Sequence, residues 1–141
     1  MHTNIFEIKI NAPIVKVWEA LTTKEIAEKW LPSVKVESNW RVGGDIVYTC
    51  VDKNGEVLEW EGMKMIWSGK IEVMDNLKEF TCVYDNQGTG IIKESHLFQE
   101  ESENSTILKL LQTCATEEIA EKYKSAMNET FETLKKYLES K

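Results

Sequence analysis

The amino-terminal segment alternates apolar and polar residues from Asn4 to Ile10, with Phe6 and Ile8 on the same face as Ile10. Period-two alternation of this kind predicts a half-buried β-strand. The alternation stops at Pro13, a residue well suited to the first turn of a helix, where a missing N–H costs no hydrogen bond.

Two short helices are predicted between Asn11 and Pro32. The apolar residues of the first recur at helical spacing: Ile14, Val17, Trp18 and Leu21. Asn11 is its candidate cap. Thr22 and Glu25 lie three apart and fit a capping box that opens the second helix, which Pro32 would end.

Six further segments carry β-rich, period-two or continuous apolar patterns: Val34 to Trp40, Asp45 to Val51, Trp67 to Met74, Glu79 to Tyr84, Ile91 to Phe98, and Thr106 to Cys114. The segment Asp52-Lys53-Asn54-Gly55 predicts a tight turn, because Asn-Gly accepts the positive φ angles that such turns need. Gly43 and Gly44 indicate a bend or bulge before a strand.

From Thr116 onward the apolar period returns to 3.6 residues, which predicts one long helix. Its apolar stripe consists of Ile119, Tyr123, Ala126, Met127, Thr130, Phe131, Leu134 and Leu138. Successive strands without crossover helices predict an antiparallel sheet. The sequence therefore predicts an α+β fold in which a curved sheet of six to seven strands wraps around the long C-terminal helix.

Two octets of similar sequence open helices at different places in the chain: TKEIAEKW at residues 23–30 and TEEIAEKY at residues 116–123. In both, a threonine stands at the cap position and acidic residues occupy the first turn. Their flanking sequences differ, so the likeness is interpreted as shared capping chemistry rather than internal duplication.

Composition and charge exclude several classes of partner. The chain has 141 residues, about the length of one domain, and 17 basic against 24 acidic residues give a net charge of −7. An acidic chain whose only arginine is Arg41 is a poor match for nucleic acid or for an anionic membrane. The cysteines Cys50, Cys82 and Cys114 form neither a disulfide framework nor a zinc motif. With no signal peptide or membrane helix in sight, a cytoplasmic protein with reduced thiols is expected.

The stretch INAPIVKVWEALTTKEIAEKWL, residues 10–31, resembles the opening signature of START-like, SRPBCC-type domains of the Hsp90 ATPase activator homologue group. The matching residues are Ala12, Pro13, Val17, Trp18, Leu21, Thr22 and Trp30, followed by Val42, Gly43 and Gly44 and by the strand Ser68 to Asp75. The resemblance covers nearly the whole chain. It implies a helix-grip fold, a single START-like domain over residues 1–141, and a largely apolar cavity between the sheet and the long helix.

The chain departs from the group's pattern at two places. The group usually has a tryptophan early in the last helix, where this chain has Met127, and the stretch Asp52 to Ile66 is longer than expected. Both changes would alter the cavity, so the resemblance implies no particular ligand.

Candidate ligand-binding residues are aromatic, sulfur-containing or on the inward strand faces: Trp30, Trp40, Tyr48, Cys50, Trp60, Met63, Met65, Trp67, Cys82, Tyr84, His96, Phe98, Met127 and Phe131. A surface rich in methionine and tryptophan adapts to varied apolar ligands. The two tyrosine hydroxyls would orient a small molecule among apolar walls. The alternative for all of them is ordinary core packing.

Three functions are compatible with these residues. The first is non-covalent binding of a small hydrophobic or amphipathic molecule, with no cofactor and no metal. The second is a module that interacts with an Hsp90-type chaperone, as the family resemblance implies. The third, which the resemblance to START-like domains implies, is a cyclase- or hydrolase-like enzyme of the type found among distant relatives, with His96 or Tyr84 as the acid–base group.

The sequence favours the non-enzymatic functions. No carboxylate or nucleophile stands at a recognisable spacing from His96, and the pattern leaves open whether Glu94, on the same strand face, points to solvent. No flanking motif activates the thiol of Cys82 or Cys114. The oligomeric state is open between monomer and homodimer.

Overall fold

The computed structural model describes residues 1–31, 33–60, 62–86 and 89–140, apart from the side chain of Trp60. Its strands are β1 (His2–Ile10), β2 (Val34–Ser38), β3 (Asp45–Cys50), β4 (Glu59–Trp60), β5 (Met63–Lys64), β6 (Ile66–Asp75), β7 (Glu79–Asn86), β8 (Gly90–Ser102) and β9 (Ser105–Cys114). Its helices are α1 (Ile14–Thr22), α2 (Lys24–Trp30) and α3 (Glu117–Glu139).

Seven strands form one antiparallel sheet in the order β1-β9-β8-β7-β6-β3-β2, which confirms the predicted fold class. The remaining two strands, β4 and β5, pair with each other in a small separate hairpin. That hairpin lies within Asp52 to Ile66, the stretch already noted as long. The turn at Gly55 is confirmed, with a φ of +84° and the Asp52 carboxylate accepting from the Asn54 and Glu56 backbone N–H groups.

Helix α3 packs against one side of the curved sheet, on strands β1 and β9. The buried residues on its apolar stripe include Phe131, Leu134 and Leu138, which join Phe6 and Leu110 in the main core. Each such side chain contributes about 1.5–3 kcal/mol through burial. Since α3 lies over β1 and β9, it leaves space above the middle of the sheet.

The predicted capping box at the start of α2 is wrong. Thr22 is the last residue of α1, and its hydroxyl donates to the Trp18 carbonyl at 2.7 Å. Thr23 occupies the cap position of α2, but its hydroxyl donates to the Glu19 carbonyl at 2.8 Å. A single residue separates the two helices, so both hydroxyls are taken by the last carbonyls of α1.

Asn11 is not the cap of α1 either. The cap position is held by Pro13 without a side-chain hydrogen bond, and the Asn11 backbone N–H donates to the Glu139 carboxylate at 2.8 Å. The second octet behaves as predicted, because the Thr116 hydroxyl accepts from the Ile119 N–H at 3.2 Å. Among the described residues, none of the three helices combines the length and the apolar composition of a transmembrane segment.

A candidate ligand cavity between the sheet and helix α3

A cavity of about 260 Å³ lies between the middle of the sheet, the end of α2 and the middle of α3. Its wall is formed by Leu21, Trp30, Leu31, Val34, Tyr48, Cys50, Trp67, Phe80, Tyr84, Ile92, Glu94, His96, Gln112, Tyr123, Ala126, Met127 and Thr130. An apolar cavity of about 150 Å³ is enough to hold benzene. Because Ala126 lines the cavity and is solvent-exposed, the cavity reaches the surface beside α3.

Half of the residues predicted to bind a ligand are brought together in this wall: Trp30, Tyr48, Cys50, Trp67, Tyr84, His96 and Met127. Of the others, Cys82 is buried in the main core, at a position of β7 between the wall residues Phe80 and Tyr84. Met63 is exposed on the β4–β5 hairpin and Met65 follows that hairpin, so neither reaches the wall. The side chain of Trp60 lies outside the described residues.

Three predicted aromatic residues pack against other aromatic rings instead of lining the cavity. Trp40 lies 6.4 Å from Phe80 between ring centroids, and Phe98 lies 5.0 Å from Trp18. Phe131 lies 6.1 Å from Phe6, where α3 meets β1. Phe98 and Phe131 belong to the buried core, and Trp40 is partly buried against it.

The indole groups of two cavity tryptophans have hydrogen-bond partners on the protein. Trp30 Nε1 donates to the Ala20 carbonyl at 2.8 Å, which leaves its ring as an apolar part of the wall. Trp67 Nε1 and the Tyr123 hydroxyl are 3.5 Å apart, a long contact between β6 and α3 at the edge of the cavity. Tryptophan side chains satisfied in this way offer a large apolar surface without an unpaired donor.

Tyr48 and Tyr84 lie side by side on the sheet, with 6.2 Å between ring centroids. Tyr84 pairs across the strands with Gly69. A Cβ atom on Gly69 would stand 2.8 Å from Tyr84 Cδ1 and would collide with the Val83 carbonyl oxygen. Glycine at this position therefore lets the Tyr84 ring lie flat against the sheet. Burial raises the pKa of both phenols, so they are neutral hydroxyls at physiological pH.

A carboxyl group stands in the wall beside these tyrosines. Glu94 Oε2 accepts a hydrogen bond of 2.8 Å from Gln112 Nε2. Asn4 Nδ2 donates in turn to Gln112 Oε1 at 3.2 Å and to the Ala120 carbonyl at 2.8 Å. Burial raises the pKa of Glu94, and the hydrogen bond from Gln112 offsets part of that effect.

His96 is held between two phenylalanines at the inner end of the cavity. The Phe80 ring is stacked at 6.2 Å between centroids, and the Phe131 ring is tilted at 6.3 Å. Burial lowers the pKa of His96 to about 4, although a hydrogen bond with the Phe80 backbone acts in the opposite direction. The imidazole is therefore neutral at pH 7.

The thiols near the cavity are poor nucleophiles. Burial raises the pKa of Cys82 to about 12 and also raises that of Cys50, which lines the wall. A thiol, unlike a thiolate, reacts slowly and binds metals weakly. The described part of the chain contains no cluster of three or more His, Cys, Asp or Glu side chains suited to a metal ion.

Ten wall residues were not singled out from the sequence: Leu21, Leu31, Val34, Phe80, Ile92, Glu94, Gln112, Tyr123, Ala126 and Thr130. For the polar residues Glu94 and Gln112, the alternation of inward and outward positions along their strands was the available signal. Glu94 has the parity of His96 on β8, and Gln112 has the parity of buried Leu110 and Cys114 on β9. A polar residue inside a buried alternation indicates an internal hydrogen-bond partner.

The long helix packed on a curved antiparallel sheet, with a cavity between them, defines the chain as a helix-grip, START-like protein. The sequence model of one family within this class, described as "Activator of Hsp90 ATPase homolog 1-like protein", matches residues 11–139. The chain belongs to this family, as the motifs around Trp18 and Trp30 predicted. Among curated proteins, none matches significantly.

Solved structures share the same fold at low sequence identity. The solution structure of ChR145 from Cytophaga hutchinsonii is 23% identical, with a TM-score of 0.74 over 99% of this chain and 95% of the other. Protein NE0264 from Nitrosomonas europaea is 18% identical, with a TM-score of 0.77 over 98% and 94%. CalU16 from Micromonospora echinospora is also 18% identical, with a TM-score of 0.77 over 96% and 75%.

Proposed function

We propose that the protein binds a small, largely apolar molecule non-covalently in the cavity between the sheet and α3. The observation that carries this proposal is the cavity itself, a space of about 260 Å³ that reaches the surface. Ligand sites are typically concave and apolar, with a few polar groups that fix orientation. The cavity meets that description, since aromatic and aliphatic side chains form most of its wall and Tyr48, Tyr84 and Glu94 add a few polar groups.

The volume limits the size of the ligand. A cavity of about 150 Å³ accepts benzene, so 260 Å³ corresponds to about ten non-hydrogen atoms buried inside. A larger molecule would extend through the opening beside Ala126. A compound of one or two fused rings therefore fits best.

The ionisation of His96 and of the two cysteines supports binding rather than covalent chemistry by these three residues. A general base works best when its pKa lies near the working pH, and that of His96 is lowered to about 4. A nucleophilic cysteine needs a lowered pKa, whereas those of Cys50 and Cys82 are raised.

Thermal unfolding and tryptophan fluorescence test this proposal with a panel of lipids, flavonoids and small aromatic ketones. A ligand at a hundred times its Kd stabilises the folded state by about 2.7 kcal/mol, which raises Tm by about 5–10 °C in a domain of this size. It should also change the emission of Trp30 and Trp67, whose rings line the wall. If no compound in the panel raises Tm or changes fluorescence, the proposal is refuted.

Two variants of α3 test whether the ligand binds in this cavity. Ala126→Phe puts a ring at the opening of the cavity and should weaken any ligand found by at least tenfold. Ser125→Phe adds the same ring at the neighbouring exposed position, which does not line the cavity. Equal affinity for the two variants would show that the ligand binds elsewhere.

The family description supports a second candidate, an interaction with an Hsp90-type chaperone. Its test is the ATPase rate of the purified chaperone with and without this protein. A carrier of small molecules should leave that rate unchanged, whereas an activator should raise it in proportion to complex formation. The two functions are thus separated by one assay.

A further inference from the structure

Among the described residues that line the cavity, the only residue type that carries a charge at neutral pH is acidic. Glu94 is the only acidic residue in the wall, and the described residues that line it include no lysine or arginine. His96 is neutral at pH 7 and supplies no positive charge. An anionic ligand would therefore lose its hydration without gaining a counter-charge, and it would meet a carboxyl group.

The hydrogen-bond network fixes Glu94 as an acceptor. The Ala120 carbonyl can only accept, so the Asn4 amide must turn its NH₂ group toward it. The same NH₂ group donates to Gln112 Oε1, which leaves the Gln112 NH₂ group to donate to Glu94. This chain of donors reaches one carboxyl oxygen, Oε2, from β1 and β9.

The other carboxyl oxygen, Oε1, has no protein donor among the described residues. The Tyr48 and Tyr84 rings line the same cavity, 6.2 Å apart between centroids, and burial together with the charge of Glu94 raises the pKa of both hydroxyls. Both hydroxyl oxygens can accept hydrogen bonds. The wall thus offers a carboxyl oxygen without a protein donor and two phenol oxygens, in one cavity lined mainly by aromatic and aliphatic side chains.

Building on the proposed function, we infer that the preferred ligand carries a protonated amine on its apolar body, and that the amine binds at Glu94. An ammonium group has three donors and no acceptor, which matches the open carboxyl oxygen of Glu94, and its positive charge favours the ionised form of that carboxyl against the effect of burial. Hydrogen bonds between charged partners are the strong ones in a dry site. The indole rings of Trp30 and Trp67 in the same wall add attraction for a cation.

Three probes of one shape test this inference: 1-naphthylmethylamine, 1-naphthalenemethanol and 1-naphthoate. At pH 7 they present a cation, a neutral hydroxyl and an anion on the same two-ring body. The wild-type protein should bind the amine at least tenfold more tightly than the alcohol, and the anion most weakly. Calorimetry or tryptophan fluorescence titration gives the three values of Kd.

A pair of charge-neutralising variants assigns the preference to one residue. Glu94→Gln should remove the amine's advantage while the alcohol keeps its affinity within about threefold, since the replaced group has the same shape. Glu100→Gln makes the same change at an exposed position of the same strand and should retain the wild-type order of affinities. Retention of the amine preference in Glu94→Gln would overturn the assignment.

The order of affinities of the three probes for the wild-type protein tests the inference even if Glu94→Gln does not fold. Alcohol binding without an amine preference, or anion binding as tight as amine binding, overturns this inference and leaves the proposed function intact. Failure of all three probes to bind overturns both.

Discussion

Acidification should destabilise the protein through His96. Its pKa falls from 6.5 in the unfolded chain to about 4 in the folded protein, because burial between Phe80 and Phe131 disfavours the charged imidazole. Below pH 6.5, His96 therefore binds a proton in the unfolded chain but stays neutral in the folded protein until the pH approaches 4. The stability contributed by neutral His96 is complete above pH 6.5 and is lost as the pH falls toward 4.

The size of this effect follows from the same two values. One pH unit of difference in pKa corresponds to about 1.4 kcal/mol, so a change from 6.5 to about 4 amounts to about 3 kcal/mol of unfolding free energy. Other groups titrate in this range as well. The quantity to measure is therefore the difference between wild type and His96→Gln, in which contributions common to both proteins cancel.

Urea unfolding of both proteins at several values between pH 7 and pH 4.5 gives this difference. Wild type should lose about 2–3 kcal/mol more than His96→Gln over that interval. His2→Gln is the same change at the other histidine, which is exposed, and this variant should lose as much stability over that interval as the wild type. Parallel loss of stability in wild type and His96→Gln would refute the reasoning, as would an NMR titration in which the His96 imidazole protonates near pH 6.5.

Three further changes probe packing and capping. Gly69→Ala should cost about 1–3 kcal/mol in urea unfolding, because the new methyl group collides with the Val83 carbonyl oxygen and the Tyr84 ring. An unchanged midpoint would contradict the close approach. Thr116→Ala should lower the free energy of unfolding by about 1 kcal/mol, because it removes the cap of α3. Thr23→Ala should lower it by less than half of that, since the Thr23 hydroxyl does not cap α2. Equal losses of stability in thermal unfolding would contradict the different roles of the two octets. Leu134→Ala should cost about 2–5 kcal/mol, because the side chain is completely buried; a cost below 1 kcal/mol by chemical denaturation would show that α3 packs loosely.

The sequence was sufficient for the architecture because every long element carries its own period. The strands that pair in the main sheet all show alternation, and α3 shows a stripe from Ile119 to Leu138 that only a sheet of this size could cover. The β4–β5 hairpin was not predicted, since strands of two residues are too short to establish a period. The cap positions before α2 failed because a one-residue connection lets the hydroxyls of Thr22 and Thr23 bond backward to α1.

The candidate site was harder to predict than the fold. Alternation tells which residues face inward, but cavity and closed core lie on the same face of the sheet. Tyr84 and Phe98 are both inward-facing, yet the first lines the cavity and the second packs on Trp18. The difference depends on where α1 and α3 lie over the sheet, which no local pattern records. Glu94 was left undecided for a related reason, because its partner Gln112 lies on another strand.

The account depends on α3 lying over β1 and β9 without filling the space beside it. A crystal structure determined under xenon pressure measures this directly, since xenon enters apolar cavities. The account predicts xenon density between Trp30, Tyr84 and Met127, with the sheet unchanged. A structure without xenon at that place, in which these three side chains touch one another, would contradict it.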